Sequence, residues 1–179
     1  LASVQQAPTM SEGNLKAATG SGTQAHFLPS TVPVGSGKWY AEFTINSGSG
    51  AHFGAVPVNQ SFTSGYLGSA AGNGSAYSMA GSAFNYNNAG SIESSLTTST
   101  TGDVIGVALD LDDSTGKLYV YKNGTQITNA QSDNSFTTYN LLDVSPLWTI
   151  SIGNNATWDI TANFGQRAFE YTPPTGFKA

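Results

Sequence analysis

One stretch of this chain carries two alternating runs of residues that end in a tight turn: Gly102-Asp-Val-Ile-Gly-Val-Ala-Leu-Asp-Leu-Asp-Asp-Ser-Thr-Gly-Lys-Leu-Tyr-Val-Tyr-Lys-Asn-Gly124. Large apolar residues occupy every second position, at Ile105, Val107, Leu109 and Leu111 in the first run and at Leu118 and Val120 in the second. This period of two is typical of a β-strand with one buried face. Asn123-Gly124 is the strongest hairpin signal in the chain. The stretch therefore predicts neighbouring antiparallel strands.

The same alternation recurs on either side of this stretch. Residues 38–46 place Trp39, Ala41, Phe43 and Ile45 on one face, and Tyr40, Glu42 and Thr44 on the opposite, solvent-directed face. Further strands are predicted at 52–58, 147–152 and 158–164, and no stretch carries a sustained helical period. Many short strands with glycine-rich turns predict an all-β fold, an antiparallel β-sandwich. We expect its core to contain Trp39, Phe43, Leu109, Leu118, Trp158 and Phe164.

The composition excludes several classes of protein. Only 9% of the 179 residues are charged, while 39% are hydrophobic, which is enough to form a packed core. A net charge of −5 with 6 Lys and Arg residues argues against nucleic acid as a partner. No apolar run is long enough for membrane insertion. The absence of cysteine excludes disulfides and zinc-thiolate sites.

The ionisable residues suggest no catalytic arrangement. His26 and His52 each stand beside a phenylalanine in a strand-like context, which favours a strand residue over a general base. Glu42 has no carboxylate two residues away, so a solvated strand residue is favoured over a glycosidase acid. The acidic turn Asp110–Asp113 lacks the glycine and glutamate of an EF-hand loop, which favours a polar hairpin turn and leaves an irregular calcium site as the lesser alternative. We predict no catalytic residue, no metal site and no cofactor.

Four ordered motifs carry a resemblance to a known family. They are Gly37-Lys-Trp-Tyr-Ala-Glu-Phe-Thr-Ile45, the two runs 102–112 and 116–124, and the closing run Ala162-Asn-Phe-Gly-Gln-Arg-Ala-Phe-Glu-Tyr-Thr-Pro-Pro-Thr-Gly-Phe177. Over residues 37–177 the chain resembles the SPRY domain family. The resemblance implies a bent, concanavalin A-like (jelly-roll) β-sandwich that binds partners through loops at one rim and is not itself an enzyme. Residues 1–14 are interpreted as an N-terminal arm or linker remnant, and residues 15–179 as the SPRY-like domain.

The chain also differs from the animal members of that family. Residues 67–77 are smaller and richer in glycine and alanine than the usual aromatic segment, and the additional N-terminal motifs of the extended animal variant are not found. The low charge and the abundant Gly, Ser, Thr and Asn resemble SPRY-type modules of bacteriophage structural proteins. We therefore expect a virion or extracellular surface as the location.

The predicted recognition surface consists of two rim loops, which the resemblance maps to Pro57–Tyr66 and Gly153–Ala156. The candidate ligand-binding residues are Asn59, Phe62, Tyr66, Tyr86, Gly153, Asn154 and Asn155. Aromatic rings among amides suit the recognition of a protein or a cell-surface glycan. The competing interpretation is that Phe62 and Tyr66 only hold a long loop onto the sandwich.

The expected function is a non-enzymatic recognition or structural module on a bacteriophage particle, such as a tail fibre, receptor-binding or capsid decoration domain. Other virion proteins and a second copy of the chain are further candidate partners. The alternative is a carbohydrate-binding module attached to a secreted or surface enzyme, in which Phe62, Tyr66 and Tyr86 would stack on sugar rings. A hydrolase or lyase on the same sandwich is disfavoured because no carboxylate pair is found.

Overall fold

The computed structural model describes residues 8–19, 26–58, 67–68, 74–84, 91–137, 139–154 and 156–179. In chain order the strands are β1 (Thr9–Ser11), β2 (Lys16–Ala18), β3 (His26–Pro29), β4 (Lys38–Gly48), β5 (His52–Pro57), β6 (Ser75–Ser78), β7 (Ser82–Phe84), β8 (Ser91–Glu93), β9 (Val104–Asp110), β10 (Lys117–Lys122), β11 (Thr125–Gln126), β12 (Trp148–Asn154) and β13 (Trp158–Asn163). A single-turn helix, α1 (Leu141–Val144), lies between β11 and β12. Within the described ranges, no helix has the length and apolar character needed to cross a membrane.

The strands form two antiparallel sheets. The seven-stranded sheet has the order β1-β2-β13-β4-β9-β10-β11, and the six-stranded sheet has the order β3-β12-β5-β6-β7-β8. β1 lies inside the range 1–14 that was expected to be an arm, and it pairs with β2 as the outermost strand of its sheet. The predicted all-β, antiparallel sandwich is confirmed.

The inner faces of the two sheets share one hydrophobic core. Phe43 on β4 and Phe53 on β5 meet across the sandwich with their ring centroids 5.8 Å apart. Of the predicted core residues, Phe43, Leu109, Leu118 and Trp158 are fully buried, and Phe164 packs half-buried against them. The prediction for Trp39 is wrong, because this residue is only half-buried. The Lys178 ammonium lies over its ring, 4.7 Å from the ring centroid.

β9 and β10 form the predicted antiparallel pair. Leu109 lies opposite Leu118 and Val107 opposite Val120, so the alternation read from the sequence faces the core. The next turn joins β10 to β11, and Asn123 and Gly124 both have positive φ there, at 48° and 77°, as a type I′ turn requires. The side chain of Asn123 accepts the Val104 N–H at 2.8 Å and donates to the Asp103 carboxylate at 2.7 Å. These bonds tie the turn to the start of β9.

The outer face of the seven-stranded sheet is covered around Tyr40 and Glu42 by residues 169–177, here called the C-terminal segment. The Phe169 ring packs edge-on against Tyr40 at 5.0 Å, and the backbone of Lys178 exchanges hydrogen bonds with Lys38 and Tyr40. Gly106 lies directly under the Tyr40 hydroxyl, which leaves no room for a side chain there. The expectation that Tyr40 and Glu42 face solvent is therefore wrong, because each is only 3% exposed.

Replacing Phe43 with alanine should lower the free energy of unfolding by about 3–5 kcal/mol, because the ring is fully buried between the sheets. Chemical denaturation followed by tryptophan fluorescence measures the change. The matched control is Val32→Ala, because Val32 is 66% exposed and its truncation should shift stability by no more than about 0.5 kcal/mol. Similar losses in the two variants would contradict the assigned core.

Candidate functional site

Most of the predicted ligand-binding residues cannot be placed in this fold. Five of them lie outside the described residues: Asn59, Phe62, Tyr66, Tyr86 and Asn155. The backbone of Asn154 pairs with His26 at the end of β12, but its side chain is also outside the described part. Gly153 is buried between β3 and β5 in the six-stranded sheet. The recognition role of these seven residues stays a prediction.

The register of β5 and β12 separates the starting points of the two predicted rim loops. Pro57 pairs with Trp148 at one end of the strand pair, and His52 pairs with Gly153 at the other end. At roughly 3.4 Å per residue, the five steps between these pairs span about 17 Å. The structure therefore does not bring Pro57 and Gly153 together.

Exposed apolar side chains gather at the Pro57 end of the six-stranded sheet. Val32, Val58 and Leu147 are 66%, 45% and 42% exposed, and we call these three residues the apolar rim. The Val58 N–H donates to the Leu147 carbonyl at 3.1 Å, which holds these two side chains side by side. Val32 belongs to the turn between β3 and an isolated antiparallel bridge that joins Val34 to Trp148. Val58 and Leu147 are thus paired at this end of the sheet, and the turn that carries Val32 lies on the other side of β12.

A groove of about 250 Å³ runs beside the apolar rim. Its described lining consists of prolines, small hydroxyl residues and valines, with no charged side chain: Pro29, Ser30, Thr31, Pro33, Val56, Pro57, Val58 and Thr149. The Thr149 hydroxyl donates to the Ser30 carbonyl at 2.9 Å. This bond fixes the turn that carries Val32 against β12.

A larger apolar cleft opens between the two sheets, at the edge where β1 and β2 end one sheet and β3 ends the other. It has a volume of about 790 Å³, and none of its described lining residues has an acidic or basic side chain. Its walls include Leu28, Phe43, Ile150, Ile152, Ile160 and Ala162. We call this space the inter-sheet cleft. Pro29, Ser30 and Thr31 line both the cleft and the groove, so both spaces border the same turn.

Glu42 is engaged in holding the fold together. Its buried carboxylate accepts the backbone N–H groups of Glu170 and Tyr171 at 2.7 and 2.9 Å, and the Tyr40 hydroxyl at 3.3 Å. Hydrogen bonds to a buried carboxylate offset the cost of removing its charge from water. Glu42 therefore anchors the C-terminal segment, and the earlier interpretation of a solvated strand residue is corrected.

His52 is likewise held inside the protein. It is 3% exposed, and Nδ1 lies 2.7 Å from the Leu67 carbonyl oxygen, which can only accept a hydrogen bond, so Nδ1 carries the proton. Burial lowers the pKa of His52 to about 4 and keeps the ring neutral at pH 7. The ring thus fixes the chain at Leu67 against β5. His26 begins β3, and its side chain lies outside the described residues.

The acidic turn after β9 is an internally bonded structure. Asp110 accepts the N–H groups of Asp112 and Asp113 and pairs with the Lys38 ammonium at 2.7 Å. The Asp113 carboxylate accepts hydrogen bonds from the backbone N–H and the hydroxyl group of Thr115. The described residues contain no group of three or more His, Cys, Asp or Glu side chains arranged to hold a metal ion.

Comparison with known proteins identifies the fold. The crystal structure of the SPRY domain of human HERC1 matches with a TM-score of 0.64 and 16% sequence identity, covering 91% of this chain and 96% of that chain. No protein-family model matches the sequence, and no curated protein matches it. At this identity the likeness concerns the fold alone: the chain is a SPRY-type, concanavalin-like β-sandwich.

The lowered pKa of His52 predicts a specific pH dependence of stability. Between pH 6.5 and about 4 the unfolded chain takes up a proton at His52 that the folded chain does not, so the free energy of unfolding should fall as the pH is lowered through this window. The loss attributable to His52 is up to about 3 kcal/mol. Denaturation of wild type and His52→Asn, which keeps a side-chain donor and does not titrate, measures it as the difference in slope. His26→Asn is the control, and a slope that disappears in this variant instead would contradict the assignment.

The role of Glu42 can be tested with Glu42→Gln. The amide keeps the shape but loses the charge and one acceptor oxygen, so the variant should be less stable by about 1.5–3 kcal/mol. Hydrogen exchange should become faster at the amides of Glu170 and Tyr171, which the carboxylate holds. Unchanged exchange at both amides would show that the C-terminal segment does not depend on this side chain.

Proposed function

We propose that this chain is a non-catalytic recognition module that binds a protein partner through the apolar rim and the groove beside it. The observation that carries the proposal is the pairing of the exposed Val58 and Leu147 at one end of the six-stranded sheet, next to the turn that carries the exposed Val32. Clustered exposed apolar side chains indicate an interaction surface, whereas scattered ones need no explanation. The likeness to a SPRY domain supports a protein as the partner.

The non-catalytic part of the proposal rests on the state of the two strongest acid–base candidates. Glu42 is saturated with hydrogen bonds from the C-terminal segment, and His52 is neutral, buried and bonded to Leu67. A general base must reach a substrate proton. Both residues instead face the protein interior.

We further propose that the module works on the surface of a bacteriophage particle. The support is compositional: low charge, no cysteine, and an abundance of Gly, Ser, Thr and Asn like that of SPRY-type modules in phage structural proteins. Cryo-microscopy of the native assembly that contains the chain tests this directly. Density for the sandwich on the outside of a particle supports the virion role, whereas attachment to a catalytic domain supports the carbohydrate-binding alternative.

The binding surface is tested with the double variant Val58→Asp, Leu147→Asp. Immobilised wild-type domain selects binders from a random peptide display library, and the affinities of the selected synthetic peptides are then measured. Two buried charges without partners should weaken peptide binding by more than about tenfold, because apolar anchors commonly contribute more than 1 kcal/mol each. The melting temperature should change little, because both side chains are exposed.

The matched control is Thr125→Asp. It adds the same charge at an exposed position of β11, the far edge strand of the other sheet, and should leave peptide binding unchanged. A glycan array run in parallel covers the carbohydrate alternative. Selected peptides that bind the double variant as well as wild type, or an array showing sugar binding with no peptide selected, would overturn the proposed surface.

A further inference from the structure

The inter-sheet cleft lies beside a strand edge with no described partner. Within the described residues, β3 pairs only with β12 and is the outermost strand of the six-stranded sheet. Leu28 of β3 and Pro29 at its end line the cleft, and across the opening lie Met10 of β1 and the β1–β2 turn with Gly13 and Asn14. A strand edge and an apolar cavity thus meet at one place.

The pairing pattern fixes the direction of the backbone groups of β3. The Ser30 N–H donates to the Ile150 carbonyl at 2.8 Å. Hydrogen-bonded pairs alternate with non-hydrogen-bonded pairs in an antiparallel ladder, so Leu28, opposite Ile152, also directs its N–H and carbonyl toward β12. Phe27 and Pro29 then direct their backbone groups away from β12. This edge offers the Phe27 N–H and the carbonyls of Phe27 and Pro29 to an added strand.

We propose that an extended peptide segment of a protein partner adds to β3 as a further strand and inserts its alternate, apolar side chains into the inter-sheet cleft. The inference rests on the proposed function, which it deepens by naming the form of the partner. A strand added to β3 continues the six-stranded sheet, so every second side chain faces the same way as Leu28, toward Ile160 and Ala162 of the other sheet.

The cleft disfavours charged side chains in the bound segment. Its described lining carries no acidic or basic side chain to pair with a charged group, and an unpaired charge in such a space is costly. The volume of about 790 Å³ accommodates several aliphatic side chains. The inward positions of the bound segment are therefore uncharged and apolar.

The open strand edge favours a peptide over a small apolar molecule. A lipid-like molecule could fill the cavity but would leave the Phe27 and Pro29 backbone groups without partners among the described residues, whereas a strand uses both features.

The test uses displayed peptides of about six residues, an ordinary strand length, with apolar residues fixed at alternate positions. Peptides are selected on wild type alone, and their binding to Ala162→Leu is then measured, because Ala162 lines the cleft and a larger side chain there fills it. The selected peptides should bind Ala162→Leu at least about tenfold more weakly than wild type. Thr125→Asp, whose charge lies at the far edge of the other sheet, is the control.

Backbone pairing is tested on the peptide and needs no protein variant. Each selected peptide is synthesised with N-methyl groups on its odd or on its even residues, because in a bound strand only one of these sets faces β3. One methylated form should lose binding by about tenfold or more, and the other should keep it. Equal binding of the two forms, or no loss of binding to Ala162→Leu, overturns the proposal.

The outcomes separate this inference from the proposed function. Peptides from the random library that depend on Val58 and Leu147 but not on Ala162 would leave the proposed function standing and overturn strand addition. An environment-sensitive fluorescent fatty acid provides the competing arm. If it binds wild type and not Ala162→Leu while no alternating peptide is selected, the cleft is a small-molecule site and the inference is wrong.

Discussion

The structure depends on the burial of both faces of β9, within the seven-stranded sheet. Every residue of β9 is buried, which means that the sheet needs a cover on the side away from the core. The C-terminal segment supplies that cover, and the Glu42 carboxylate holds it through two backbone amides 128 and 129 residues away. The buried Glu42 charge specifies the position of the C-terminal segment, because its hydrogen bonds form only when the segment lies in that one position. Gly106 and Tyr40 fit under the same cover.

The groups that are committed to the fold limit the places where a partner can bind. The C-terminal segment occupies the outer face of one sheet, and the buried acid–base groups are committed to the fold. The features left to a partner lie at one end of the other sheet and at its outer strand: the apolar rim, the groove and the inter-sheet cleft. The groove and the cleft share Ser30 and Thr31, whose turn is bonded to β12 through Thr149.

The parts of this structure that could be predicted from the sequence are those encoded locally. The alternation at 105–111 and 118–120 gave the correct pairing of β9 with β10 because adjacent strands joined by a short turn need no distant information. The same alternation failed for Tyr40 and Glu42, since a period of two distinguishes the faces of a strand but does not show what covers them. The cover comes from the far end of the chain.

The apolar rim was missed for a related reason. Val32, Val58 and Leu147 are isolated apolar residues beside prolines in the sequence, and a single exposed valine or leucine is unremarkable on any protein surface. Only the register of β5 with β12 and the bridge from Val34 to Trp148 bring them together. The available signal was that β5 ends at Pro57 and that Pro146 lies two residues before β12, because proline ends a ladder and leaves its neighbours at the edge of a sheet.

The turn at Asn123-Gly124 has a consequence for the chemical lifetime of the protein. Asparagine followed by glycine is prone to spontaneous deamidation, in which the glycine amide nitrogen attacks the side-chain carbonyl carbon, ammonia leaves and a cyclic imide forms. Here the Val104 N–H holds Oδ1 and the Asp103 carboxylate holds Nδ2, so the side chain is not free to rotate into line for that attack. Hydrolysis of the imide would place a new carboxylate beside Asp103, where like charges repel. The hydrogen bonds that shape this hairpin therefore also slow its deamidation.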